Sequence, residues 1–190
     1  MTAVGIRMSV YFSEINIWGA VAGGDFFEVA APKGTDLSGY EVYIYQTDGT
    51  IKSGPWSLDT AVTTVAGQDV YVIDQPNDGI GLSYADSHAL VADDGNVEQY
   101  LATSGTTTTA TEGPANGITA TALGHSASGE VFQSSDGGST YTKSATHSKG
   151  MIPCFATGTL IETVQGLRPV EKLRTGDIVP TFDGAPRPIK

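Results

Sequence analysis

The chain has 190 residues and a mass of 19.7 kDa, which is enough for one domain with a hydrophobic core and part of a second domain. Its 10 basic and 21 acidic side chains give a net charge of −11, which argues against nucleic acid and anionic membrane surfaces as partners. The single cysteine excludes an internal disulfide. No apolar run reaches the roughly 18 residues needed to cross a bilayer, so we expect no membrane insertion.

Charge and composition change together near residue 150. Residues 1–150 carry 5 basic and 17 acidic side chains, whereas residues 151–190 carry 5 and 4. Residues 102–150 are rich in Thr, Ser and Gly, whereas residues 154–190 are rich in branched apolar residues and Pro. We predict a first domain over 1–148, a linker over 149–153 and a second segment over 154–190.

Short runs of aromatic and β-branched residues predict antiparallel strands in the first domain. These runs are Tyr40–Tyr45, Asp69–Ile73, Ala89–Ala92 and Val97–Leu101. Asp-Gly pairs at 48–49, 78–79, 94–95 and 136–137 favour tight hairpins. No helix with an apolar face of three turns is evident before residue 151, so we predict an all-β sandwich or barrel. The polar stretch 106–117 is predicted to be an exposed loop in preference to an edge strand.

Three motifs in this domain resemble those of the bacterial lamin-tail-like domains. They are Ser13-Glu14-Ile15, Asp25-Phe26-Phe27-Glu28-Val29 and Gly34-Thr35-Asp36-Leu37-Ser38-Gly39-Tyr40. The similarity extends over roughly residues 9–143. It implies an immunoglobulin-like antiparallel β-sandwich whose ligand is unknown.

Two glutamates in these motifs alternate with apolar neighbours. The alternation places Glu14 and Glu28 on the face opposite Ile15, Phe27 and Val29. We predict that the two carboxylates lie on a solvated outer face.

Other polar residues suggest weaker sites. An acidic binding or calcium site at Asp93, Asp94 and Asn96 is the alternative to a solvated surface, but the EF-hand spacing of oxygen ligands is absent. Asp74 and Asp78 are predicted to flank a plain turn and not to form a glycosidase pair. The histidines and the cysteine have no zinc spacing, so we predict no metal and no cofactor. The aromatic residues are predicted to be core residues and cross-strand pairs in preference to a sugar platform; they are Trp18, Trp56, Tyr40, Tyr43 and Tyr45.

The segment around the single cysteine resembles the start of a Hint domain, the module shared by hedgehog autoprocessing domains and inteins. The similarity covers residues 154–190 and rests on five short motifs in the expected order. They are Cys154-Phe155, Gly158-Thr159, the turn at Gly166, Val170-Glu171-Lys172-Leu173 and Gly176-Asp177. Residue patterns predict strands at 159–163 and 178–182, and an edge or loop at 185–190.

The Hint resemblance implies that the Cys154 sulfur attacks the carbonyl carbon of Pro153. Pro153–Cys154 is then the scissile bond, and the amide becomes a thioester. Water, a thiol or an amine is the implied acyl acceptor, which leads to self-cleavage or protein splicing. Gly158, Thr159, Gly176 and Asp177 are predicted to support the motif.

Two features predict slow chemistry in this chain. In the family a Thr-x-x-His motif assists the first step, but residues 154–190 contain no histidine. The ring of Pro153 also crowds the carbonyl that the sulfur must reach. We therefore expect a truncated chain that is inactive or very slow, and a full-length parent that is the autocatalyst. His147 is predicted to lie in a flexible linker and not to act as the base for Cys154.

Two functions remain open at this point. The first is autoprocessing at Cys154. The second is a non-enzymatic binding or surface-adhesion sandwich with a vestigial Hint tail, in which Cys154 is a buried, inert thiol. Residues 1–10 show no Sec signal peptide. The resemblance implies secretion by a signal-independent route, and the alternative location is the cytoplasm.

Overall fold

The chain divides into two compact units, Met1–Pro153 and Cys154–Lys190. The computed structural model describes residues 10–17, 24–65, 67–152, 160–180 and 185–189. These residues form strands and loops with very little helix, which confirms the predicted all-β fold. Within these ranges, no helix combines the length and the apolar character that a membrane crossing requires.

The described part of the first unit consists of short strands and one helical turn. In chain order they are β1 (Tyr11–Asn16), β2 (Phe26–Pro32), β3 (Glu41–Tyr45), β4 (Ile51–Ser57), β5 (Thr63–Val65), β6 (Gln68–Asp74), α1 (Gln75–Asp78), β7 (Ser87–Val91), β8 (Val97–Ala102), β9 (Thr121–Ala122), β10 (Val131–Gln133) and β11 (Thr142–Ser144). The strands make two sheets, in the orders β11-β10-β1-β2-β6-β5 and β4-β3-β7-β8-β9. All pairs are antiparallel except β8 with β9.

The two sheets pack face to face around a buried apolar core, as the predicted sandwich requires. This core combines side chains from both sheets, among them Phe12, Ile15, Phe27 and Val29 from one and Val42, Ile44, Leu90 and Leu101 from the other. A second cluster covers the opposite face of the five-stranded sheet. There the rings of Tyr45 and Tyr100 meet at 5.2 Å and pack with alanines of segment 103–120. The region 106–117 is a loop, as predicted, and an isolated bridge from Thr109 to Thr119 closes it. The loop is not exposed throughout, because Thr108, Ala110 and Ala115 are buried.

Two of the Asp-Gly pairs lie in tight hairpins, as the sequence predicts: residues 48–49 connect β3 to β4, and residues 94–95 connect β7 to β8. The pair at 136–137 lies in a longer hairpin connection, between β10 and β11. The prediction for residues 78–79 is wrong, because Asp78 belongs to α1 and Gly79 ends that helix with φ +74°. The plain turn predicted between Asp74 and Asp78 is likewise a helical turn. Asp74 accepts the N–H of Asn77, and Asp78 accepts the N–H of Asp74.

The second unit contains two β-hairpins in its described residues. Its elements are β12 (Leu160–Thr163), β13 (Gly166–Pro169), a 3-10 helix (Val170–Lys172), β14 (Ile178–Pro180) and β15 (Pro186–Pro188). β12 pairs with β13, and β14 pairs with β15, both antiparallel. Strands were predicted at 159–163 and 178–182, and the described parts of both confirm them. Residues 181–184 lie outside the described ranges.

Candidate functional site

Four residues predicted for the processing site lie outside the described residues. They are Pro153, Cys154, Gly158 and Thr159. The described part of the first unit ends just before the predicted scissile bond, at residue 152. We call its last five residues, 148–152, the approach segment. Gly176 and Asp177 are described and belong to the second unit.

The approach segment lies against a pair of glutamates on the six-stranded sheet. Glu14 of β1 and Glu28 of β2 are directly opposite each other in the strand register. As predicted, they lie on the face opposite Ile15 and Phe27, which belong to the core between the sheets. The predicted solvation is wrong, because both glutamates have an exposed fraction of 0%. The outer face is buried because the end of the first unit covers it.

The approach segment supplies hydrogen-bond donors to both carboxylates. The backbone N–H and the hydroxyl of Ser148 donate to Glu14 Oε2 at 2.9 and 2.6 Å. The backbone N–H of Gly150 donates to Glu28 Oε2 at 2.6 Å. On the strand side, Ser13 Oγ donates to Glu28 Oε1 at 2.7 Å, and Gln133 Nε2 donates to Glu14 Oε2 at 3.2 Å. The burial of two carboxylates is tolerated because each has several donors.

Lys149 adds an ion pair to the same attachment. Its Nζ lies 2.6 Å from Asp74 Oδ2, and the side chain of Asp74 is only 8% exposed. The same Nζ lies 5.3 Å from the centre of the Phe26 ring, which permits a cation–π contact. The ring of His147 meets Phe26 edge-on at 6.2 Å. His147 thus belongs to a docked segment, and the flexible linker predicted around it is not what the structure contains.

Burial governs the electrostatics of the glutamate pair. The pKa of Glu28 is raised from 4.5 to about 8, chiefly by desolvation and in smaller part by the charge of Glu14, against hydrogen bonds from Ser13 and Gly150 that lower it. Desolvation also raises the pKa of Glu14 above its ordinary value. For Asp74 burial opposes ionisation, but the contacts with Lys149 and Asn77 outweigh it and lower the pKa. The pair therefore favours protonation, whereas Asp74 stays ionised beside its cation.

Backbone geometry aims the approach segment at the glutamates. Gly150 has φ +80°, a left-handed conformation that glycine adopts without the strain other residues incur. Met151 N–H bonds to the carbonyl of Ser148 at 2.7 Å and closes a turn around Gly150. This turn directs the Gly150 N–H to Glu28. Sequence reasoning missed these contacts, because Ser148 and Gly150 resemble ordinary linker residues.

Gly176 and Asp177, predicted as motif support, hold the second unit together. Arg168 Nη1 donates hydrogen bonds to both carboxylate oxygens of Asp177, at 2.9 Å to Oδ1 and 2.8 Å to Oδ2. The backbone N–H of Arg174 also donates to Oδ2. The Arg174 and Arg168 donors lower the pKa of Asp177. Gly176 has φ +94°, and its N–H bonds to the carbonyl of Ile189. Asp177 thus links β13 to the turn before β14. The sequence gives no specific signal for Arg168 as its partner.

His88 and His125 of the first unit pack against aromatic rings. His88 has an exposed fraction of 0% and packs edge-on against Phe27 at 4.8 Å. Its Nε2 lies 3.3 Å from Thr103 Oγ1, and burial lowers its pKa from 6.5 to about 3. The exposed ring of His125 meets Tyr84 edge-on at 5.6 Å. Because Cys154 lies outside the described residues, its suggested pairing with His147 has no described geometry.

The other candidates for ligand binding have local structural roles. Asp94 accepts the backbone N–H and the side-chain amide of Asn96, so its carboxylate is used within the β7–β8 turn. The described residues contain no cluster of three or more potential metal ligands among His, Cys, Asp and Glu. Tyr45 is buried, and Tyr40, Tyr43 and Trp56 pack partly buried against the two apolar clusters, as predicted. Trp18 lies outside the described residues.

Comparison with family models finds a similarity in the second segment. Residues 153–190 match the family model described as the Hint domain. This match confirms the resemblance of this segment to Hint domains, and it begins one residue before Cys154. The comparisons with curated proteins and with solved structures found no significant match.

Proposed function

We propose that the protein is a Hint-type autoprocessing protein, with Cys154 as its nucleophile and Pro153–Cys154 as its scissile bond. The observation that carries this proposal is the Hint match over 153–190, which places the single cysteine of the chain at its second residue. The lamin-tail-like identity of the first unit is part of the same proposal. It is supported by two of its motifs, which form the adjacent strands β1 and β2.

The proposed first step is an acyl shift from nitrogen to sulfur. The Cys154 sulfur bonds to the carbonyl carbon of Pro153, and the bond from that carbon to the Cys154 nitrogen breaks. The thiol proton passes to the leaving nitrogen, which becomes the amine of a new N-terminus. Water, a thiol or an amine then takes the acyl group from the thioester. The outcome is cleavage, splicing or transfer, according to the acceptor.

Residues 154–190 contain no histidine that could assist the acyl shift, so we expect this first step to be slow. A free thiol with a pKa near 8.5 is only a few per cent ionised at neutral pH, so a base or a positive field must raise the thiolate fraction. We propose that the 190-residue chain alone reacts slowly or not at all, because its Hint-like segment contains no histidine to assist the first step. The same lack of histidine favours the second candidate, a non-enzymatic binding sandwich with a vestigial Hint tail.

Thioester trapping tests the proposal. The full-length parent and the 190-residue chain are incubated with hydroxylamine or dithiothreitol, and products are identified by intact mass. We expect the parent to release a fragment that ends at Pro153, as a hydroxamate in hydroxylamine. Cys154→Ala is expected to abolish the release. A parent that stays intact over days favours the binding module, and cleavage that persists in Cys154→Ala contradicts the mechanism.

A further inference from the structure

One edge of the five-stranded sheet is only partly covered. On one side, β8 pairs with β7 from Val97 to Ala102. On its other side, β9 pairs with Leu101 and Ala102 alone. Among the described residues, 97–100 of β8 therefore have no strand partner on that side. The backbone groups along such an edge can pair with another extended chain.

The other edges of the two sheets, which are β4, β5 and β11, have features that oppose such pairing. β4 contains Pro55, which has no backbone N–H to donate, and its register with β3 is irregular. β5 and β11 have three residues each, and Lys143 lies at the centre of β11. Short strands, proline and lysine are common means of keeping an edge from pairing. The open part of β8, residues 97–100, has neither proline nor lysine.

A groove of about 450 Å³ lies beside this open edge. Residues of β8 and β9 line it together with residues 138–141. Gln99 of β8 connects these walls, because its Oε1 accepts the hydroxyl of Tyr141 at 3.0 Å and its Nε2 donates to the Gly138 carbonyl at 3.1 Å. The same Oε1 accepts the backbone N–H of Phe12 at 2.8 Å. The groove is thus held in shape by bonds within the first unit, which lowers the cost of ordering it around a ligand.

The charge around the groove favours a basic ligand. Glu98 lines the groove near the start of β8 and is exposed, and Asp93 and Asp94 are exposed in the turn before this strand. Burial, and then the charges of Glu98, Asp93 and Asp94, raise the pKa of Tyr40, so the three carboxylates act on the same place. Residues 1–150 as a whole carry 5 basic and 17 acidic side chains. A cationic partner is therefore attracted to this end of the groove.

We propose that the open edge of β8 binds a basic segment of another protein, in an extended conformation, as an added strand. Such a segment lies along residues 97–100, over about 13 Å, and exchanges backbone hydrogen bonds with them. Its lysine or arginine side chains contact the three carboxylates. At the β9 end of the groove the ammonium of Lys143 donates to the carbonyl of His125, so the attraction is confined to the start of β8. This binding does not depend on processing at Cys154.

The probe for this site is a fluorescein-labelled peptide of eight residues in which lysine alternates with valine. It is titrated against the 190-residue chain and followed by fluorescence anisotropy. In one control peptide glutamate replaces each lysine, and we expect no binding. In the other, alternate backbone nitrogens are methylated, which removes donors and keeps the charge. We expect this peptide to bind at least about tenfold more weakly.

Three variants of the chain test the groove and the charge separately. Ala122→Tyr places a bulky neutral side chain at an exposed position of β9 that lines the groove, and we expect it to abolish binding. Glu98→Lys reverses a charge and is expected to weaken binding by about threefold to tenfold. Asp59→Lys is the matched control, because Asp59 is exposed and follows β4 at the opposite edge of the same sheet. It is expected to bind as the wild type does.

Hydrogen–deuterium exchange locates the bound peptide. We expect amides of residues 97–100 to exchange faster in the free chain than in the chain saturated with peptide. Protection of these amides in the free chain would overturn the proposal, because a segment of the chain or a second copy would then occupy the edge; sedimentation separates these two cases. Equal binding of the methylated peptide would show attraction to an acidic surface without strand pairing. That result, or no binding at about 1 mM peptide, also overturns the proposal. The methylated peptide decides the outcome if Ala122→Tyr does not fold.

Discussion

The buried glutamate pair predicts an unusual dependence of stability on pH. The pKa of Glu28 rises from 4.5 in the unfolded chain to about 8 in the fold. The folded state therefore holds a proton that the unfolded chain releases, and the free energy of unfolding falls as pH rises from 4.5 to 8. At about 1.4 kcal/mol per pKa unit, ionised Glu28 opposes folding by roughly 5 kcal/mol above pH 8.

His88 contributes the opposite slope over part of this range. Its pKa is lowered from 6.5 to about 3, so its contribution to stability is lost as pH falls below 6.5. The two effects oppose each other between pH 4.5 and 6.5. Between pH 6.5 and 8 the effect of the glutamates is no longer opposed by His88, and we expect the first unit to lose about 2 kcal/mol from Glu28 there. Glu14, whose pKa is also raised, acts in the same direction.

Glu28→Gln isolates this effect, because glutamine is a neutral group with the same shape as the protonated acid. We expect the variant to match the wild type near pH 5 and to be more stable by several kcal/mol, about 3 to 5, at pH 8.5. Urea unfolding followed by tryptophan fluorescence is the assay, since both tryptophans lie in the first unit. Glu98→Gln, at an exposed position of β8, is the control. Parallel curves for Glu28→Gln and wild type from pH 5 to 8.5 would refute the reasoning.

Three further contacts have measurable consequences. We expect Lys149→Met to lower the free energy of unfolding by about 1–3 kcal/mol, because it leaves buried Asp74 without its cation, whereas Lys33→Met has no effect in the same urea assay. Asp177→Asn is expected to speed amide exchange at Gly176 and Ile189, because it weakens the bonds from Arg168; no change relative to exposed Glu162→Gln would contradict this role. In an NMR titration the ring of His88 is expected to stay neutral down to about pH 3, and a midpoint near 6.5 would disprove its burial.

The strand pattern was predictable because it depends on neighbours in sequence. Alternation correctly placed Glu14 and Glu28 on the face opposite the core, and the Asp-Gly pair at 94–95 correctly predicted a hairpin. The burial of the glutamates was not predictable in the same way. It arises from Ser148, which is 134 residues from Glu14, and a period of two does not indicate what covers the second face of a sheet.

At the candidate site, too, the motifs were predictable from the sequence but their contacts with other residues were not. The order of short motifs from Cys154 to Asp177 was sufficient to identify the Hint resemblance, and the comparison bears it out. The partners of those motifs were not predictable, since an arginine such as Arg168 can pair with any nearby carboxylate. The approach segment was also missed, because serine, lysine and glycine are as common in free linkers as in docked turns.

The most direct test of the proposed function is the intact mass of the full-length parent, wild type and Cys154→Ala, after incubation with hydroxylamine. The account predicts a fragment from the wild type that ends in a Pro153 hydroxamate, and no fragment from the variant. Release of the same fragment by Cys154→Ala, or a wild-type parent that remains intact, would contradict the central claim.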